Sequence, residues 1–108
     1  MYTYEAKVIR VVDGDTVDLD IDLGFHTRVI KRIRLSFINA PERHTDLGKR
    51  SKDFLLKSIP EGSKVIIKTQ LDSTDKYGRV VGEIFAPDQI SSINKLMVDG
   101  GFAEYYNK

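Results

Sequence analysis

The chain contains no cysteine, which excludes disulfides and thiolate metal sites and leaves the redox compartment open. Its only histidines are His26 and His44, and no spacing around them resembles a zinc site; His44, two residues after Glu42, reads as a surface loop residue. No apolar run approaches the roughly 18 to 20 uncharged residues that a membrane-spanning helix needs. The start, Met1-Tyr2-Thr3-Tyr4-Glu5, lacks the basic stretch and apolar segment of a signal peptide. Glycine-rich phosphate loops, serine-elbow motifs, repeats and low-complexity tracts are also missing. The aspartates at 18, 20 and 22 superficially suggest an EF-hand. That frame requires glycine at its sixth position and glutamate at its twelfth, where this chain has Leu23 and Val29.

What is present suits one compact domain: 108 residues with 41% hydrophobic content can build one core but not two. The net charge of +1 says little alone, yet the charges are segregated. Between Arg28 and Lys57 nine bases face three acids, a net of +6, while Asp13 to Asp22 carries five aspartates and no base. This distribution suggests a phosphate-binding face beside a cation-binding pocket.

Tyr4 to Val12 is rich in β-branched residues and ends at the turn signal Asp13-Gly14. Beyond it Val17, Leu19 and Ile21 alternate with Asp18, Asp20 and Asp22, predicting a hairpin with one wet face. After a turn at Leu23-Gly24, Thr27 to Phe37 predicts a third strand, with Val29, Ile33, Leu35 and Phe37 on one face and Arg28, Arg32 and Arg34 on the other. Leu47, Phe54, Leu55 and Ile59 fall at helical spacing, capped by Thr45 or Asp46 and closed by Pro60. Lys64 to Leu71 and Arg79 to Phe85 predict two further strands, and Gln89 to Val98 a short helix before Gly100-Gly101. The order predicts an α+β, mainly β chain: an OB-type five-stranded barrel, with a helix between its third and fourth strands and a short C-terminal helix. An open sheet of the same content is the alternative.

Three segments carry chemistry. Asp13-Gly14-Asp15-Thr16 supplies hard oxygen ligands, Arg34 with Ile38-Asn39-Ala40-Pro41-Glu42 supplies a guanidinium and a carboxylate, and Asp75-Lys76-Tyr77-Gly78-Arg79 supplies a second arginine. Together they offer a cation site, a carboxylate able to activate water, and two permanent cations matched to phosphate oxygens. Asp15 shares the parity of Val17, Leu19 and Ile21, so its carboxylate points toward the barrel mouth, where an unpaired charge is costly. Acceptance of backbone N–H groups within the turn is its plain structural reading.

These three motifs resemble the staphylococcal nuclease family, and the resemblance runs from about Tyr4 to Tyr106. It implies Ca²⁺-dependent hydrolysis of DNA and RNA phosphodiesters, with little sequence preference and 3′-phosphate products. On that basis Asp15, Asn39 and the Ala40 carbonyl hold Ca²⁺, Glu42 serves the attacking water, and Arg34 and Arg79 grip the phosphate. Lys76, Tyr77 and Tyr106 contact the substrate. Arg32 is set aside because counting back from Pro41-Glu42 aligns Arg34 with the family's arginine. Asn39 departs from the family, which commonly has a carboxylate there; an amide oxygen still ligates but removes one charge.

The expectation is therefore a single nuclease domain over residues 1–108, cytoplasmic or borne by a mobile element or phage, and secreted only if a leader has been removed. Its partners are DNA or RNA and no membrane. The competing class is a non-catalytic nucleic-acid or protein-binding barrel. Ending before the additional C-terminal helix of many relatives predicts a smaller core or a compensating oligomer.

Overall fold

In a computed structural model, which describes residues 2–74 and 79–105, five strands close into a barrel in the order β1-β2-β3-β6-β5. Strands β1 (Tyr2–Asp13), β2 (Thr16–Asp22) and β3 (Arg28–Leu35) form a meander. The short strand β4 (Ile38–Asn39) follows, then helix α1 (Asp46–Ser58). Strands β5 (Lys64–Thr74) and β6 (Val80–Phe85) complete the barrel, before helix α2 (Ile93–Asp99) and strand β7 (Glu104–Tyr105). β5 returns antiparallel to β1, and β6 runs parallel to β3 at Ile33↔Val80, Arg34↔Val81 and Leu35↔Gly82. Closure leaves the barrel no open edge, and this is the OB-type α+β architecture the sequence predicts.

Alternation builds the core. Val17, Leu19 and Ile21 from β2 and Ile33 and Leu35 from β3 are buried, with Val65, Ile67 and Ile84 completing the interior. In β1 both Val8 and Val11 are inside although three positions apart. A register shift between Val8 and Arg10 supplies the extra residue that resets the parity.

Several elements differ from the sequence pattern. The turn after β2 lies two positions later than predicted: Thr27 N–H donates to the Gly24 carbonyl at 2.9 Å, leaving Phe25 and His26 in the centre at φ 53° and 62°. β3 ends at Leu35, so Phe37 escapes the expected buried parity and sits half-exposed at φ 70°. Helix α1 buries Leu55 as expected but turns Leu47 outward and adds two small residues to its packed face. Leu47 is 55% exposed, whereas Gly48, Ser51 and Leu55 point inward.

The reason is close packing. An added Cβ on Gly14 would stand 2.6 Å from Ser51 Cβ and 2.9 Å from Ala40 Cβ, and one on Gly48 would stand 1.9 Å from the Glu42 carbonyl oxygen. Backbones this close admit only small residues. Thr45 caps the helix, accepting from Gly48 N–H at 3.0 Å and donating to the Glu42 carbonyl at 2.7 Å. Ser51 Oγ lies between the carbonyls of Leu47, at 2.9 Å, and Phe102, at 2.5 Å. Phe54 stacks on Phe102 with centroids 4.4 Å apart, pinning the helix to the C-terminal segment.

Where they lie on β2 and β3, the acidic and basic runs turn out to be partners. Asp18 lies opposite Arg32 in the β2–β3 ladder and Asp22 opposite Arg28. Arg32 meets Asp18 at 2.8 Å, and Arg28 meets Asp20 at 3.0 Å and Asp22 at 3.7 Å. The hydrogen bond that Arg32 donates to Asp18, with the carboxylate's charge, raises the pKa of Arg32 further. The aspartates at 18, 20 and 22 are therefore the sheet's own counter-ions and form no cation pocket.

Candidate active site

Arg34 is the centre of the site. It is the penultimate residue of β3, and its side chain is only 9% exposed, a burial that a guanidinium tolerates only when its donors are used. Nη1 donates to the Leu35 carbonyl at 2.7 Å and Nη2 to Asn39 Oδ1 at 2.6 Å, with Asp15 Oδ2 at 3.5 Å from Nη2. The turn at Ser36 and Phe37 reverses the chain and brings Asn39 back against the residue five positions earlier.

Asp15 ties the first hairpin to the same point. Its Oδ2 accepts the Ala40 N–H at 2.9 Å and its Oδ1 accepts the Thr16 hydroxyl at 3.0 Å, while its carbonyl accepts the Leu35 N–H at 2.8 Å. The sequence expectation of a carboxylate at the barrel mouth holds. Its backbone N–H partner comes from the β4 loop, 25 residues away, and not from its own turn.

Four of the residues expected to act together, Asp15, Arg34, Asn39 and Ala40, thus share one hydrogen-bonded cluster. Glu42 lies two residues beyond Ala40, exposed, with its backbone held by Thr45 through N–H at 3.0 Å and hydroxyl at 2.7 Å. Arg79 is half-buried and immediately precedes β6, whose parallel register sets Val80 beside Ile33 and Val81 beside Arg34. Lys76, Tyr77 and Tyr106 lie outside the described residues. Arg32, on its ion pair with Asp18, is kept apart from the cluster.

The donor chemistry fits a hard divalent cation. Asp15, Asn39 and the Ala40 carbonyl offer oxygen alone, and Asp13, on the same turn as Asp15, has a buried Oδ1 with no hydrogen-bond partner among the described residues. Such an oxygen is an unmet demand for a proton donor or a cation. The set is lean in charge, however. No group of three or more His, Asp or Glu able to hold a metal occurs among the described residues, and the Asn39 oxygen already accepts from Arg34.

One residue behind the site escaped the sequence reading. Asn94 of α2 is 2% exposed, accepts the Ile84 N–H at 3.1 Å and donates to the carbonyls of Ser36 at 2.9 Å and Gly82 at 3.2 Å. It fixes the turn that separates Arg34 from Asn39. An amide between Ile93 and Met97 on the apolar side of a short helix was the available signal.

Comparison with known proteins agrees with this geometry. The family model described as staphylococcal nuclease homologue matches residues 32–108. The chain belongs to that family. It is 37% identical over 103 residues to an Escherichia coli protein named an uncharacterized endonuclease, covering 95% of this chain and 61% of that protein. It is 32% identical over 114 residues to endonuclease YhcR of Bacillus subtilis, covering 95% of this chain and 9% of YhcR. A protein named ParB from Escherichia coli is 31% identical over 108 residues, covering 94% of this chain and 56% of ParB. The chain therefore spans under two thirds of the length of each of these relatives.

Proposed function

We propose that this chain is a nuclease domain hydrolysing phosphodiester bonds of DNA and RNA, with Ca²⁺ as its cation, little sequence preference and 3′-phosphate products. The observation that carries the reading is the convergence of Asp15, Arg34, Asn39 and Ala40 at one end of the barrel. Glu42 follows on the same loop, and family membership agrees.

Each residue then has a task set by its chemistry. Asp15, Asn39 and the Ala40 carbonyl would hold the cation, which supplies charge neutralisation for a phosphate oxygen. Glu42 takes the proton of the attacking water as that water adds to phosphorus, and the 5′ oxygen leaves, keeping the phosphate on the 3′ side. Arg34 is held rigid by its hydrogen bonds to Leu35 and Asn39, so its charge is oriented before substrate arrives. Arg79 supplies the second guanidinium for the charge that redistributes over the phosphoryl oxygens. None of these groups reads a base edge, which is the physical basis for weak sequence preference.

Asn39 supports a second reading, a nucleic-acid-binding barrel without catalysis, because its oxygen is engaged by Arg34. Cleavage of labelled single-stranded DNA separates the two, measured with Ca²⁺, with chelator, and with a folded Glu42→Gln variant. The nuclease reading expects Ca²⁺-dependent cleavage that drops at least ~100-fold in the variant, in the range of general-base loss. No cleavage by folded wild type under any divalent cation, with salt-sensitive binding retained, overturns it in favour of the binding barrel.

A further inference from the structure

We infer that the cleft beside Phe37 is a base-stacking subsite: it takes one nucleobase of the strand whose phosphate the Arg34 site holds, with the Phe37 ring as its platform. The inference rests on the nucleic-acid reading of that site and adds to it a place for a base.

Phe37 belongs to the turn between Arg34 and Asn39. Strand parity would bury it, yet it stands 54% exposed at φ 70°. A bulky side chain is strained in that left-handed region, and a ring left half in water recovers only part of the benefit of burial. Strain kept at a site is a pointer to a task outside the fold. Phe25 is also strained and exposed, but it lies at the end of the β2–β3 ladder away from Arg34. At Phe37 the strain falls between two residues of the site itself.

Beside the ring, β6 and the start of α2 enclose a cleft of about 310 Å³ lined by Phe37, Phe85, Ile90 and Tyr105. That volume is at the small end of ligand clefts and suits one planar group. The backbone ties the cleft to the site. Asn94, which also lines it, donates to the Ser36 carbonyl at 2.9 Å, and Tyr105 pairs with Ile38 while Glu104 pairs with Asn39. The turn that sets Arg34 against Asn39 therefore also sets one wall of the cleft. Three residues of chain place Phe37 within about 11 Å of Arg34, and two place it within about 7 Å of Asn39, so a nucleotide next to the gripped phosphate can reach it.

The charges favour a base over a phosphate. Glu83 and Lys95 line the cleft with opposite signs, and Lys95 is held by Asp99 at 2.7 Å. Lys68, opposite Glu83 in the β5–β6 ladder, lies over the Phe85 ring at 4.8 Å. A phosphate entering here would meet the Glu83 carboxylate, whereas an uncharged base meets the half-exposed rings of Phe37 and Tyr105. Every base has a π-face, so such a platform accepts all of them.

The test is binding of a labelled oligothymidylate and of an abasic strand of the same length, which carries the same phosphates and no bases. Fluorescence anisotropy in chelator reads both without cleavage. Wild type is compared with Phe37→Leu, which keeps apolar bulk and loses the ring, and with Phe37→Tyr, which keeps the ring; circular dichroism checks the fold of each. Phe37→Leu is expected to bind oligothymidylate ~5- to 100-fold more weakly, the range for loss of one stacked base, and to bind the abasic strand as wild type does. Phe37→Tyr is expected to stay within about 2-fold of wild type on both strands. Equal binding of oligothymidylate by wild type and Phe37→Leu overturns the proposal, as does an equal loss on the two strands, which would make the ring a support for the backbone site. So does a wild-type oligomer in sedimentation that Phe37→Leu dissolves with DNA binding unchanged, which would give the cleft to a second copy of the chain. Wild type that shows the base-dependent effect but never cleaves would sink the nuclease reading and leave the subsite standing; wild type that cleaves with Ca²⁺ and lacks the effect would do the reverse.

Discussion

Arg34 Nη2 donates to Asn39 Oδ1 at 2.6 Å while standing 3.5 Å from Asp15 Oδ2, so one guanidinium is shared between the two side chains expected to ligate a cation. The arrangement makes Asn39 a fastener for Arg34, and on the proposed assignment a weak ligand as well. An amide does the first task without adding charge, so the proposed cation site holds a single carboxylate among its three residues.

Asn39→Asp should therefore keep the fastening and strengthen the cation site. The carboxylate still accepts from Arg34, and ligand charge is a principal control of Ca²⁺ affinity. We expect Ca²⁺ to bind about tenfold more tightly, as titration calorimetry and the Ca²⁺ dependence of the melting temperature would show. Unchanged or weaker binding would mean that position 39 does not face the cation.

Gly48→Ala sets two effects against each other. In the first turn of a helix alanine gains under about 1 kcal/mol over glycine, but its Cβ would meet the Glu42 carbonyl oxygen at 1.9 Å and Arg43 Cα at 2.9 Å. Both obstacles are backbone, so the loop has to move, at a cost of about 1–3 kcal/mol. The net expectation is lower stability together with displacement of Glu42, and misplacement of about 1 Å is enough to cut turnover ~100-fold. A variant melting at or above wild type with full kcat would show that the loop yields freely.

Asn94→Ala tests the support behind the site. The substitution strips the Ile84 N–H and the Ser36 carbonyl of their side-chain partner, whereas the Gly82 carbonyl keeps the Ser36 N–H at 2.9 Å. A buried group left unsatisfied costs about 1–3 kcal/mol. We expect about 2–4 kcal/mol of lost stability in denaturant unfolding, with binding of Ca²⁺ weakened because the Ser36 turn loosens. A loss below about 1 kcal/mol would imply that water replaces the amide at little cost.

How far such features can be read in advance follows from what each depends on. Val17, Leu19 and Ile21 announce their strand by period alone, and Arg34, Asn39 and Ala40, which meet in one cluster with Asp15, are close in sequence. The pairing of Asp18 with Arg32 requires the strand register, which charge counting does not contain; where the two runs lie on β2 and β3 they are one ladder and not two faces. Gly48 and Ser51 carry no apolar signal, so periodicity gave their buried face to Leu47. Phe37 followed the strand's parity only while the strand was assumed to continue beyond Leu35. Asn94 joins carbonyls at positions 36 and 82, a relation created wholly by the fold.

The turn between β2 and β3 offers a gain in stability with no cost to the site. Phe25 and His26 hold φ 53° and 62°, the left-handed backbone of both central residues of a type I′ turn, closed by Thr27 N–H on the Gly24 carbonyl at 2.9 Å. Side chains with a large Cβ substituent are strained there, by about 1–2 kcal/mol per residue, whereas asparagine and glycine adopt it readily. Phe25 is 99% exposed, so its removal forfeits no burial. Glycine at 26 adds freedom to the unfolded chain, which takes back about 0.4–1 kcal/mol. Phe25→Asn/His26→Gly should then stabilise the protein by about 1 kcal/mol, raising its melting temperature by about 4–8 °C in calorimetry. The same variant should cleave nucleic acid at the wild-type rate, since the turn lies beyond the Arg28–Asp22 pair at the end of the ladder away from Arg34. A lower melting temperature would mean that Phe25 is covered in solution by a second copy of the chain, which sedimentation at several concentrations would detect.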